Sequence, residues 1–198
     1  LLKWGIPYRE ALFVVDIASD PFRETEALGY ARDFLAQASS PATGRAPGPV
    51  ARENMLVLAS TEPGTGKTVA CSWLMETAQP RMVFGRTFPA DQHPRMIHAS
   101  ELAELAYRDA TDEIAALRTT SFLTIDDLGV ERLDKQEIFQ RFFGALLNAR
   151  YGAAGFTAIT TNLTTDQVQE RYGNRVYDRL RERCVWLDIA HGSLRGVR

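Results

Sequence analysis

Two hydrophobic rhythms run along this chain of 198 residues. The first is the short unbroken apolar run. MLVLAS (Met55 to Ser60), SFLTIDDLG (Ser121 to Gly129) and FTAITTN (Phe156 to Asn162) read as strands buried on both faces, the kind found inside parallel sheets. RMVFGRTF (Arg81 to Phe88), the start of RMIHASELAELAYRDA and the late VWLDI extend the strand series. The second rhythm is helical. From Asp20 to Ala38 apolar side chains recur at Phe22, Ala27, Tyr30, Ala31, Phe34 and Leu35, and Pro21 suits the first turn. TVACSWLMETAQ follows a glycine turn as a helix, and Ser100 caps another; two more are expected around Thr165 to Tyr172 and Arg175 to Arg183. The clearest pattern is DKQEIFQRFFGALLNARYG, where Ile138, Phe139, Phe142, Phe143, Leu146 and Leu147 share one face. Asp134 stands at its N-cap with Glu137 three residues on, and Gly152 lies just beyond its end. SSPATGRAPGPV (Ser39 to Val50) is a loop, with too little chain before it to make it a linker between full domains. Strands alternating with helices predict one α/β domain with a largely parallel sheet.

Composition adds limits. The length suits one domain with a full core. Hydrophobic residues make up 45% and charged residues 24%, and the net charge of −2 gives no global steering toward nucleic acid or membrane. No apolar run approaches the roughly 18 residues of a membrane span. Cys71 and Cys184 are far apart and lack a C-x-x-C partner, so buried free thiols in a reducing, cytoplasmic compartment are expected. The chain begins at Leu1 rather than Met, and a partner-binding segment before it is expected.

Candidate chemistry starts in STEPGTGKT. The phosphate-loop pattern G-x-x-x-x-G-K-S/T has Thr61 at its first position, while Gly64, Gly66, Lys67 and Thr68 fit the rest. Glycines let backbone N–H groups converge on phosphate oxygens, and a helix N-terminus adds partial positive charge. Lys67 then neutralises the β- and γ-phosphates of ATP, and the Thr68 hydroxyl ligates Mg²⁺. A chance glycine turn is the plainer reading, and its placement between a buried strand and a helix argues against it. LTIDDLG tests this independently, roughly 60 residues further on. A carboxylate at a strand's C-terminal end supports the metal, which suits Asp126, and a second acid activates the attacking water, which suits Asp127. An acidic pair alone is more often a loop start. AITTN ends with Asn162, able to hydrogen-bond that water or the γ-phosphate, although Asn at a strand end is commonly turn chemistry.

Arginines form the last candidate group. GNRVYDRLRER sets Arg175, Arg179 and Arg183 on one helical face, either a solvated surface beside Asp178 and Glu182 or an arginine that reaches a neighbouring subunit's γ-phosphate. Arg195 follows in HGSLR. Arg81, Arg86, His93, Arg95 and His98 with Phe84 and Phe88, and seven arginines against three acids over 171–198, form a weak signal for single-stranded DNA.

With these elements in this order, the chain resembles the AAA+ ATPases of the DnaC/DnaI helicase-loader and IstB transposition-helper group. LTIDDLG is similar to that family's Walker B block, NARYG…FTAITTNL to the stretch leading into sensor 1, GNRVYDRLRE to its arginine-finger helix and SLR to its sensor 2. GIP (Gly5 to Pro7) resembles the domain's N-terminal edge. The resemblance implies an AAA+ core with five parallel strands in order 5-1-4-3-2 and a small C-terminal helical lid. It implies one ATPase domain over 1–198: an N-terminal helix and Pro/Gly-rich loop to 50, a core sheet over 51–163, and the lid and sensor 2 region over 164–198. ATP or ADP would sit between subunits of an ATP-dependent oligomer, held by Pro63, Gly64, Thr65, Gly66, Lys67, Thr68 and Val69 with Arg175 and Arg195. Thr68 and Asp126 would hold Mg²⁺, Asp127 would be the base, Asn162 sensor 1, and Arg179 would act in trans. Thr61 departs from the loop's first glycine, and Asp127 stands where many relatives have Glu. The implied task is slow ATP hydrolysis controlling assembly on DNA, as a loader of a replicative helicase. The alternatives are a transposition helper with a transposase partner and a nucleotide-binding switch with little hydrolysis. Partners implied are copies of the chain, one of those enzymes and single-stranded DNA, with no membrane.

Overall fold

The computed structural model describes residues 26–39, 54–77, 82–83, 86–87, 89, 92–134, 137–152 and 155–190, and of 34, 36–39, 82–83, 86–87 and 183 the backbone alone. In chain order these form α1 (Glu26–Ser39), β1 (Met55–Ala59), α2 (Lys67–Thr77), β2 (Met82–Val83) and β3 (Arg86–Thr87). β4 (Arg95–His98), α3 (Ala99–Tyr107), α4 (Thr111–Thr119), β5 (Phe122–Leu128) and α5 (Ile138–Gly152) follow. β6 (Phe156–Thr161), α6 (Thr165–Tyr172), α7 (Asn174–Arg183) and β7 (Cys184–Asp188) complete the series.

Five strands form one parallel sheet in the order β4-β5-β6-β1-β7. Counted among themselves they run 2-3-4-1-5, the expected 5-1-4-3-2 read from the other edge. The pleat sorts β1 between two cores, because successive side chains leave on opposite faces. Met55, Val57 and Ala59 join the cluster holding Phe139, Phe143, Leu146 and Leu147 of α5 and Val176 and Leu180 of α7. Leu56 and Leu58 join the opposite cluster with Ala27 and Ala31 of α1 and Cys71, Leu74 and Met75 of α2. Covering both faces explains why the central strands read as unbroken apolar runs. This is an α/β three-layer sandwich, and its strands' C-terminal ends share one edge.

Several local expectations change. RMVFGRTF supplies no strand to the main sheet: β2 and β3 pair with each other antiparallel, on either side of Gly85. Ser100 is not the cap of α3. His98 is, with extended backbone and an imidazole Nδ1 that accepts from Ser100 N–H at 3.3 Å, so strand passes into helix without a loop. α5 begins at Ile138 because Glu137 takes a φ of +57°, outside the helical region. Asp134 still serves its start, accepting from Ile138 N–H at 2.9 Å. Gly152 is the last residue of α5 rather than the one beyond it. β7 pairs with β1, so the core sheet continues past residue 163 into the stretch assigned to the lid. A lid after that strand would lie beyond Ala190, outside the described residues. So do Pro21, Phe22, residues 40–50 and GIP. Neither cysteine is in a disulfide; Cys71 is buried and Cys184 only half-buried.

Arg150 locks the N-terminal edge of the sheet. It is fully buried. Its Nε donates to Thr157 Oγ1 at 2.9 Å, Nη1 to Leu117 O at 3.2 Å and Thr120 O at 2.6 Å, and Nη2 to Phe156 O. Burial lowers its pKa to about 10, so the guanidinium keeps its charge at neutral pH. The carbonyl ends of α4 accept that charge favourably. A Cβ on Gly155 would meet Thr120 O at 2.7 Å and Arg150 Nη2 at 2.8 Å, which explains glycine there. Arg150→Met is expected to destabilise the fold by roughly 3 kcal/mol or more, since it strands buried carbonyls without a donor. Urea unfolding measures this, and a loss below about 1 kcal/mol would contradict the bracing role.

Candidate functional site

The strand ends bring the candidate groups together. β1 runs into the loop 60–66 and then α2. Gly64 and Gly66 have φ of +82° and +86°, a region open to glycine and strained for other residues. Thr61 is exposed and does not share that conformation; the non-glycine residues with positive φ among the described ones are Asp109, Asp127 and Glu137. The β-branched residue therefore sits where the chain is still free of the glycine-only bend. Pro63 is exposed, Thr65 buried, and Val69 half-buried on the first turn of α2. Lys67 is buried at that helix's N-terminus. Its Nζ donates to Asn162 Oδ1 at 2.8 Å, Thr65 Oγ1 at 3.2 Å and Glu62 O at 3.3 Å. Asn162, 95 residues further along the chain, thus meets the lysine.

Next along α2, Thr68 Oγ1 donates to Asp126 Oδ1 at 2.9 Å. That oxygen also accepts Thr160 Oγ1–H at 2.6 Å. The register explains the geometry. Ile125 pairs with Ile159 and Leu128 with Thr161, so Asp126 and Asp127 both stand opposite Thr160 in a β-bulge. Asp127 takes a φ of +55°, a conformation costing roughly 1–2 kcal/mol for a residue with a Cβ though milder for Asp, and its N–H donates to Thr160 Oγ1 at 2.8 Å. Its Oδ2 lies 3.7 Å from His98 Nε2, and both side chains are partly exposed. Burial lifts the Asp126 carboxyl above its ordinary value; Asp127 adds to the rise, while the hydroxyls of Thr160 and Thr68 and the nearby His98 pull it back.

Glu131 lies just past the acid pair and is 2% exposed. Its Oε2 accepts from Gly129 N–H at 2.9 Å, and its Oε1 from Tyr172 O–H at 2.6 Å and Arg171 Nε at 3.1 Å; Arg171 also donates to its carbonyl. These bonds tie the loop after β5 to α6.

Lys67, Thr68, Asp126, Asp127 and Asn162 therefore converge, but Arg175 and Arg179 stay apart. Arg175 is exposed and Arg179 half-buried on α7, and neither bonds to the acid pair or Lys67. Arg195, like the Arg183 side chain, is outside the described residues. Of the basic and aromatic cluster, Arg95 and His98 mark opposite ends of β4, while Arg81, Phe84, Phe88 and the Arg86 side chain lie outside the described residues. Sequence reasoning missed Thr160, Glu131 and the contact of His98 with Asp127. Thr160 lay in AITTN without distinction, since only the bulge turns it toward both acids. Among the described residues there is no cluster of three His, Cys, Asp or Glu side chains able to hold a metal and no helix long and apolar enough to cross a membrane.

No protein-family model matches the chain, and no curated protein matches its sequence. Solved structures do. The crystal structure of DnaI aligns with a TM-score of 0.59 over 83% of this chain and 84% of that one, at 21% identity. The DnaC helicase loader aligns at 0.59 over 83% and 88%, with 20% identity. The replication initiator DnaA, bound to AMPPCP and single-stranded DNA, aligns at 0.58 over 85% of this chain and 47% of its own, with 16% identity. The chain has the AAA+ P-loop fold.

Two tests follow from this geometry. A carboxyl with a raised pKa makes the folded chain bind its proton more tightly than the unfolded chain. Its contribution to stability is thus full below pH 3.8 and lost as pH rises through the folded value. Asp126→Asn, which still accepts both hydroxyls, is expected to be more stable than wild type at neutral pH by on the order of 1 kcal/mol. The gain should shrink on acidification toward 3.8, measured by thermal unfolding across pH. A gain that grows on acidification would refute this account. Thr61→Gly is expected to change nucleotide affinity by less than about threefold, since Thr61 needs no positive φ; a tenfold gain in calorimetry would mean that the threonine distorts the loop.

Proposed function

We propose that this chain binds ATP with Mg²⁺ and hydrolyses it, as an AAA+ ATPase that acts on DNA and loads a replicative helicase. The observation that carries the reading is the meeting of Lys67, Thr68, Asp126, Asp127 and Asn162 at one edge of the sheet, from the start of α2, the end of β5 and the residue after β6. The likeness to the DnaC helicase loader and to DnaI favours the loading task over a transposition helper.

The residues suit that chemistry. Thr68 Oγ1 and Asp126 Oδ1 are hard oxygen donors 2.9 Å apart, and Mg²⁺ takes one or two such groups together with phosphate oxygens. When bound, the ion supplies charge neutralisation at the β- and γ-phosphates. Gly64 to Thr68, with Pro63 before and Val69 after, offer backbone N–H groups at the start of α2. Lys67 exchanges neutral acceptors for anionic phosphate oxygens. Asp127 accepts a proton from the water that attacks the γ-phosphorus, the bond to the bridging oxygen breaks, and ADP leaves. Asn162, already beside Lys67, orients that water. Arg179 of a neighbouring copy, with Arg175 beside it, stabilises the developing charge in trans, and Arg195 contacts the nucleotide in cis. The whole chain, 1–198, acts as one ATPase unit in an ATP-dependent oligomer, with single-stranded DNA and the helicase as partners.

ATPase rates with and without single-stranded DNA test this. Asp127→Asn is expected to keep ATP binding and to lose roughly 100-fold or more in kcat. Lys67→Ala should lose binding, and Arg179→Ala should lose hydrolysis while an isolated subunit still binds ATP. Equal rates in wild type, Asp127→Asn and Lys67→Ala would sink the enzyme reading and leave a binding switch. A pull-down that retains transposase instead of helicase would transfer the task to transposition.

A further inference from the structure

In an unbroken strand, adjacent acids leave on opposite faces, and only one of the pair reaches a given site. Here the bulge sets Asp126 and Asp127 against the single residue Thr160. Thr160 is fully buried, and its hydroxyl is used in both senses. The oxygen accepts Asp127 N–H at 2.8 Å, and the one hydrogen goes to Asp126 Oδ1 at 2.6 Å. Thr68, the other donor to Oδ1, is the hydroxyl assigned to the cation, so Thr160 is the donor that stays with the carboxylate. Its neighbours are engaged elsewhere: Thr161 donates to Leu128 O at 2.6 Å and Thr157 accepts from Arg150.

We propose that Thr160 is a positioning residue of the hydrolytic site, one hydroxyl that orients the Asp126 carboxylate for the cation and holds the Asp127 backbone in its left-handed bend. This role rests on the ATPase reading above. It makes the two acids a unit: the group that aims one also sets the backbone of the other.

Three variants separate the hydroxyl from the side chain's volume. Thr160→Val keeps the volume, Thr160→Ser keeps the hydroxyl, and Thr160→Ala keeps neither. Val and Ala are expected to lower kcat roughly 10- to 100-fold, as lost outer-shell partners do, with the KM for ATP within about threefold. Mn²⁺ binding to the ADP complex, followed by electron paramagnetic resonance, should weaken in the same two variants, and hydrogen exchange at the Asp127 amide should quicken. Ser should stay within about threefold of wild type in each measurement. A Val variant that behaves as wild type, or a Ser variant as impaired as Ala, overturns the role. If Val fails to fold, the contrast between Ser and Ala decides. A wild type without ATPase activity overturns the parent reading and this role together, whereas an active wild type with an active Val variant overturns this role alone.

Discussion

Asp126 Oδ1 accepts two hydroxyls, Thr68 from α2 and Thr160 from β6, so three separated stretches of chain meet at one buried carboxylate oxygen. Burying a charge costs several kcal/mol unless it is compensated, and a hydrogen bond to a charged group returns about 1.5–3 kcal/mol. Here burial, together with the charge of Asp127, outweighs the two bonds and His98, and the carboxyl's pKa lies above its ordinary value. The group is therefore held in place but under-solvated. Under the proposed function a divalent cation relieves that deficit, and the energetics of the apo fold and of ligand binding become one problem.

The bulge beneath this oxygen needs a fixed register, because a one-residue slip would move both acids to the wrong faces. Two buried charges guard it from opposite ends. At the N-terminal edge, Arg150 joins α5 and the end of α4 to the first residues of β6. At the C-terminal edge, Glu131 joins the loop after β5 to Arg171 and Tyr172 of α6. Each spans tens of residues, and each is paired enough to be retained where a lone charge would not be. Between these braces the local strain of Asp127, at φ +55°, is sustainable.

Much of this was legible in the chain itself. The apolar runs of β1, β5 and β6 and the single apolar face of α5 follow from period alone, because a two-sided sheet and a one-sided helix demand different spacings. The boundaries were less so. Glu137 bounds a helical pattern by its backbone conformation, and the two short strands of RMVFGRTF pair with each other instead of joining the main sheet, neither of which a hydrophobic count weighs. Nothing in the local pattern around Arg150 marks it, although among the described residues it is the largest fully buried side chain.

The residues themselves determined the kind of site: glycines before a lysine and threonine at a helix start, an acidic pair at one strand end and an asparagine at another. These are properties of local spacing. The tertiary structure decided which atoms face each other. Asn162 meets Lys67 across 95 residues. Both acids answer to Thr160, because a register shift between non-adjacent segments, invisible to any local pattern, sets two residues opposite one.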